Sequence, residues 1–134
     1  KIQVKPLSGG SGMLGLPGDP SSPSRFVRIA VYKATAPVPA DAYAAMLQSF
    51  KILESLVIPI GAVVDVNTGN PDALITSTQF TTASDMQGRK LYFRTMDNSR
   101  IRCLDLNKID FDKVKYRSVA LDEKPEQIEV LKIK

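Results

Sequence analysis

Apolar positions along this chain change period once, near residue 74, and the change separates a helical part from a strand part. The first helix follows an irregular segment. Ser22 can cap it, Pro23 suits the first helical position with its fixed φ, and Phe26, Val27, Ala30 and Val31 form an apolar stripe. It is expected to run to about Thr35, with Pro37 and Pro39 as the stop. A second helix is predicted from near Ala40, with Asp41 in its first turn, where a carboxylate complements the helix dipole. Tyr43, Met46, Leu47, Phe50, Leu53 and Val57 recur at three- and four-residue steps, so one face should be buried, and Pro59 should end the helix.

From about Leu74 the period becomes two. Leu74 to Thr82 is rich in β-branched residues, Asp85 to Gly88 reads as a turn, and Lys90 to Met96 and Arg100 to Leu106 alternate around a second turn at Asp97-Asn98-Ser99. Two weaker strands are predicted near Val114–Leu121 and Ile128–Ile133. Two helices followed by an antiparallel meander give an α+β class. Residues 8–24 stand apart, holding five of the eight glycines together with Pro17, Pro20 and Pro23. That composition excludes a continuous helix or strand, while Met13, Leu14 and Leu16 argue for a structured loop over a free linker.

Composition narrows the chemistry. The 134 residues suit one domain or part of one, and no apolar run approaches a membrane span. There is no His, which removes Ser-His-Asp and Cys-His nucleophile arrangements and every imidazole metal site. The single cysteine, Cys103, rules out an internal disulfide and any CxxC motif, and its mid-strand place suggests a buried small side chain. Net charge is +4, spread as six basic and four acidic side chains in residues 1–67 and twelve and ten in residues 68–134. Even spreading is poor support for a nucleic-acid interface, although Arg89 to Arg102 does interleave arginines with Tyr92 and Phe93. Gly10 to Gly15 matches GxGxxG, but Leu16-Pro17-Gly18-Asp19-Pro20 cannot begin the helix that a dinucleotide site needs there. Asp105, Asp110 and Asp112 fit no calcium loop, and Lys108 and Lys113 among them suggest ordinary surface charge. The opening Lys1-Ile2-Gln3 reads as the interior of a longer protein.

One stretch is far more specific. Gly15-Leu16-Pro17-Gly18-Asp19-Pro20-Ser21-Ser22-Pro23-Ser24-Arg25-Phe26-Val27-Arg28 closely resembles the GLPGD-x-SSxSRFVR signature of the choloylglycine hydrolase and penicillin V acylase family. These are linear-amide hydrolases of the N-terminal nucleophile superfamily. Phe50-Lys51-Ile52-Leu53 with Ile58-Pro59-Ile60-Gly61, and then Leu91 to Ile101, are similar to the same family in the same order. The resemblance runs from about Gly9 to Leu106, segments that form the C-terminal part of a longer protein in the family.

The resemblance implies that residues 1–134 are the C-terminal portion of one αββα sandwich domain. It also implies hydrolysis of an amide between an acyl group and an amine, with conjugated bile salts, penicillin V and N-acyl homoserine lactones all open as substrates. The nucleophile of such enzymes is an N-terminal Cys whose α-amino group serves as base, with no cofactor and no metal. The missing His agrees with that, since an α-amino group titrates near neutrality. Arg25 matches the active-site arginine of the signature, Asp19 and Ser22 are expected to place it, and Arg28 is assigned no catalytic role. Residue 1 is Lys and Cys103 matches a mid-strand position, so the nucleophile is expected on the N-terminal portion of the same enzyme, which is the implied partner. The chain alone should be inactive. A non-catalytic interaction or assembly domain on the same fold is the alternative. No nucleic acid and no membrane span are expected, while oligomeric state and compartment (bacterial cytoplasm or periplasm) stay open.

Overall fold

A computed structural model describes residues 9, 11–63, 76–116 and 118–122. It contains helices α1 (Ser22–Thr35) and α2 (Ala42–Glu54), then strands β1 (Phe80–Asp85), β2 (Lys90–Thr95) and β3 (Arg102–Asp105). The strands form one antiparallel sheet in the order β1-β2-β3.

Proline and side-chain caps set the helix limits. Ser21 occupies the N-cap position of α1, one residue before the expected Ser22, without a side-chain capping bond, and Pro23 falls within the first two helical positions. A proline is tolerated there because that N–H has no intrahelical acceptor. The helix ends as expected at Thr35: Ala36 precedes Pro37 and is extended, the conformation that a following proline favours. Asp41 is the cap of α2 itself, its carboxylate accepting from the Ala44 amide at 2.7 Å. α2 stops at Glu54, well before Pro59, because its last carbonyls are taken by tight i→i+3 bonds from Ser55, Leu56 and Val57. The segment beyond is then fastened to the approach to β1, where Ile58 donates to the Thr78 hydroxyl and Thr78 donates back to the Ile58 carbonyl, both at 2.9 Å.

The β1–β2 register runs from Phe80 opposite Thr95 to Asp85 opposite Lys90. At the turn, Asp85 accepts from the Gly88 amide at 2.7 Å, and a Cβ at residue 88 would collide with that carboxylate, so any larger residue there must push the Asp85 side chain aside. β1 begins at Phe80, later than the expected start near Leu74; residues 64–75 lie outside those described, and Thr78 bonds to Ile58 instead of to β2. No strand forms among the described residues of 114–121. Instead Asp110 accepts from the Asp112, Lys113 and Val114 amides, closing a helical turn. The expected strand at Ile128–Ile133 lies outside the described residues.

α2 covers the sheet face that carries Thr81, Ala83, Tyr92 and Arg94, packing chiefly on β1. Phe50, 2% exposed, and Met46 are its buried residues. Arg94 lies over the Phe50 ring at 5.5 Å while donating to Glu54 at 2.9 Å. The expected buried stripe is therefore narrower than the period suggested, since Tyr43, Leu47 and Val57 are exposed. α1 departs further: Phe26 is 72% exposed and Val27 is exposed too, whereas Ser24 and Arg28 are buried. Cys103 is exposed, not buried, because β3 is the outer strand and α2 lies over β1. On the opposite sheet face Phe80 is 64% exposed and Leu104 is exposed, with no second layer over them among the described residues.

Candidate functional site

The site begins in backbone that has no ladder of its own. Between the short 3₁₀ turn at Ser11–Met13 and α1, the chain passes Gly15 at φ 83°, a left-handed position suited to glycine, and then Leu16 to Pro20. The GxGxxG match falls on that short turn, and α1 starts at Ser22, seven residues past Gly15, so it does not present a helix N-terminus. The carbonyls of this loop need donors. Arg28 supplies them, its Nη1 donating to the Pro17 carbonyl at 2.7 Å and to the Asp19 carbonyl at 2.9 Å.

The Asp19 carboxylate makes the second connection. It accepts from the Ser21 amide at 2.9 Å and from the Ser24 hydroxyl. The Ser21 hydroxyl beside it, the Ser24 hydroxyl and the Ser21 amide hold its pKa down at about 2. α1 has no acidic residue in its first turn, so Asp19 provides negative charge at the positive end of the helix from outside it. The contribution is present above the ordinary carboxylate pKa of 3.8 and is lost as pH falls through about 2. Thermal unfolding followed between pH 5 and pH 2 should show an acid-dependent loss of stability that is smaller in Asp19→Asn, while equal slopes would contradict this role.

Arg25 sits one turn into α1 and is half-buried. Its Nη2 donates to the Ser22 hydroxyl at a long 3.4 Å, and its Nε–H is buried with no partner among the described residues. The four ion pairs there are Lys51–Glu54, Arg94–Glu54, Arg102–Asp122 and Lys113–Asp110, so no carboxylate pairs with Arg25. A cation near a helix N-terminus opposes the dipole, which makes an unpaired one there costly. Of the expected site residues, the structure brings Ser22 to Arg25 and joins Asp19 to Ser21 and Ser24, not to Arg25 directly. Sequence reasoning missed Ser24 and Arg28. Their four-residue spacing beside a glycine-proline loop with free carbonyls was the available signal.

Other candidate chemistry is dispersed. In the hairpin, Arg94 is engaged by Phe50 and Glu54 on one sheet face, and Arg102 by Phe93 and Asp122 on the other. The two arginines therefore do not share a basic surface. The described residues hold no group of three or more side chains able to ligate a metal, and no described helix is long and apolar enough to cross a membrane.

A family model of linear amide C–N hydrolases, choloylglycine hydrolase family, matches residues 1–118. The chain belongs to the choloylglycine hydrolase family. An uncharacterized protein, A284L, of Paramecium bursaria Chlorella virus 1 is 32% identical over 72% of this chain and 35% of its own length. A bile salt hydrolase/transferase of Lactiplantibacillus plantarum is 35% identical over 90% of this chain and 36% of its own. The chain thus spans about a third of the length of these relatives. A mutant conjugated bile acid hydrolase from Clostridium perfringens has the same fold, with a TM-score of 0.73 over 94% of this chain and 36% of that one, at 23% identity. Two helices on an antiparallel sheet are accordingly an α+β part of the N-terminal nucleophile hydrolase sandwich.

Proposed function

We propose that this chain is the C-terminal portion of an N-acyl amide hydrolase and that Arg25 belongs to its active site. The observation that carries the reading is an arginine with a desolvated Nε–H, no carboxylate partner among the described residues and a helix dipole against it. Such a group is suited to an anion that forms during reaction. In the proposed step, a cysteine thiolate on the remaining polypeptide adds to the amide carbonyl, and the Arg25 guanidinium faces the negative charge of the thiolate or the oxyanion. The cysteine's α-amino group takes the thiol proton and delivers it to the departing amine, and water then releases the acid from the acyl-enzyme. Asp19 acts on Arg25 by fixing the start of α1 through Ser21 and Ser24, and Ser22 acts by accepting from its guanidinium.

Two further observations support the portion reading. The chain covers about a third of its relatives, and the sheet face bearing Phe80 and Leu104 is uncovered among the described residues. Names of relatives favour conjugated bile salts as the substrate class.

The test is to express the full-length gene product beside the isolated chain. Release of glycine or taurine from conjugated bile salts, and of phenoxyacetate from penicillin V, is then assayed. Turnover by the complete protein and none by the isolated chain is expected. Absence of turnover on every N-acyl amide tried, with the N-terminal cysteine verified by mass spectrometry, would leave the non-catalytic assembly domain as the better reading.

A further inference from the structure

We propose that Arg28 is a positioning residue for Arg25. The inference builds on the active-site reading of Arg25 and adds a second residue to it. Arg28 is 8% exposed, with no carboxylate partner among the described residues, and its own Nε–H is buried without an acceptor there. Burying an unpaired guanidinium costs stability, so a purely structural tie would be better made by a neutral donor. What Arg28 has in return is reach. From one turn beyond Arg25 it donates back across eleven residues to Pro17 and nine to Asp19.

Those two carbonyls flank Gly18, the most pliable point of the loop. Holding both fixes the direction in which the chain enters α1. Asp19 fixes the same corner from the other side through Ser21 and Ser24. Arg25 lies between the two fastenings, one residue after Ser24 and three before Arg28, so the Cα–Cβ direction of its side chain follows the seating of this corner. Without Arg28, Asp19 alone would hold the loop, and the loop could pivot about Gly18.

A residue that works through another leaves a signature in a double-mutant cycle. In the complete enzyme, Arg28→Met keeps the apolar stem and removes every donor, and Arg28→Lys restores charge and part of the donor set. Arg28→Met should lower kcat about tenfold or more, with KM changing less, because small misplacements of a catalytic group are costly. Arg28→Lys should recover part of that loss. The same Arg28 changes made on top of Arg25→Ala should cost almost nothing further. If Arg28→Met does not fold, judged by circular dichroism and its melting midpoint, Arg28→Lys carries the cycle. Equal losses with and without Arg25, or a wild-type kcat in a folded Arg28→Met enzyme, would overturn the proposal. A wild-type enzyme without amidase turnover would instead overturn the reading on which it rests, and the two failures are told apart by the unmutated control.

Discussion

Arg25→Ala in the complete enzyme is expected to lower kcat roughly a hundred- to a thousandfold, about 3–4 kcal/mol of transition-state stabilisation. KM should change little, because the bound amide itself brings no anion for Arg25 to meet. Desolvation of Nε makes the interaction stronger than the same contact in water, and the planar guanidinium offers a fork that an ammonium cannot. Arg25→Lys should therefore recover only part of the rate. The acid limb of the pH–rate profile should also move upward in Arg25→Ala, since a nearby cation keeps a thiol pKa low. Steady-state kinetics across pH on folded variants is the check. A folded Arg25→Ala enzyme with wild-type kcat would remove Arg25 from the chemistry.

Phe50→Ala is expected to cost the largest share of stability of any single change in the described residues, about 3–5 kcal/mol. Phe50 is 2% exposed and joins α2 to the sheet, and the Arg94 guanidinium rests over its ring at 5.5 Å. The substitution therefore removes core volume and also one contact of a guanidinium that Glu54 holds in place. Phe50→Leu should be distinctly milder, because most of the buried area survives. Urea or guanidinium unfolding of the complete enzyme measures both: the Phe50→Ala midpoint should fall with m unchanged. An unchanged midpoint would show that α2 is held to the sheet by other contacts.

Local chemistry made the end of α1, the start of α2 and the first hairpin turn readable in the sequence, but not the end of α2, which falls at Glu54 and not at Pro59. Pro37 set the end of α1, Asp41 the start of α2, and Asp85 with Gly88 the turn between β1 and β2. Each depends on residues close in sequence. Orientation was less readable, because periodicity tells which residues share a helix face without telling which face meets a neighbour. In α1 the apolar face of Phe26 and Val27 points outward, while Ser24 and Arg28 point in to hold the loop. Strand alternation has the same limit at Cys103, which lies on the helix side of the sheet but beyond the cover of α2.

The candidate site was legible as a string of residues and not as a mechanism. The signature singled out Arg25, and its glycines and prolines marked the loop. The hydrogen bonds from Arg28 to two carbonyls nine and eleven residues earlier follow only from the folded path of the chain.

The loop is fastened to α1 by two pairs of bonds of different acid sensitivity. Below pH 2 the Asp19 clasp is protonated away, whereas Arg28 holds two backbone carbonyls, acceptors that carry no carboxylate to neutralise. An acid pulse therefore opens one latch and leaves the other shut, so this corner retains a template on which to close again when the buffer is neutralised.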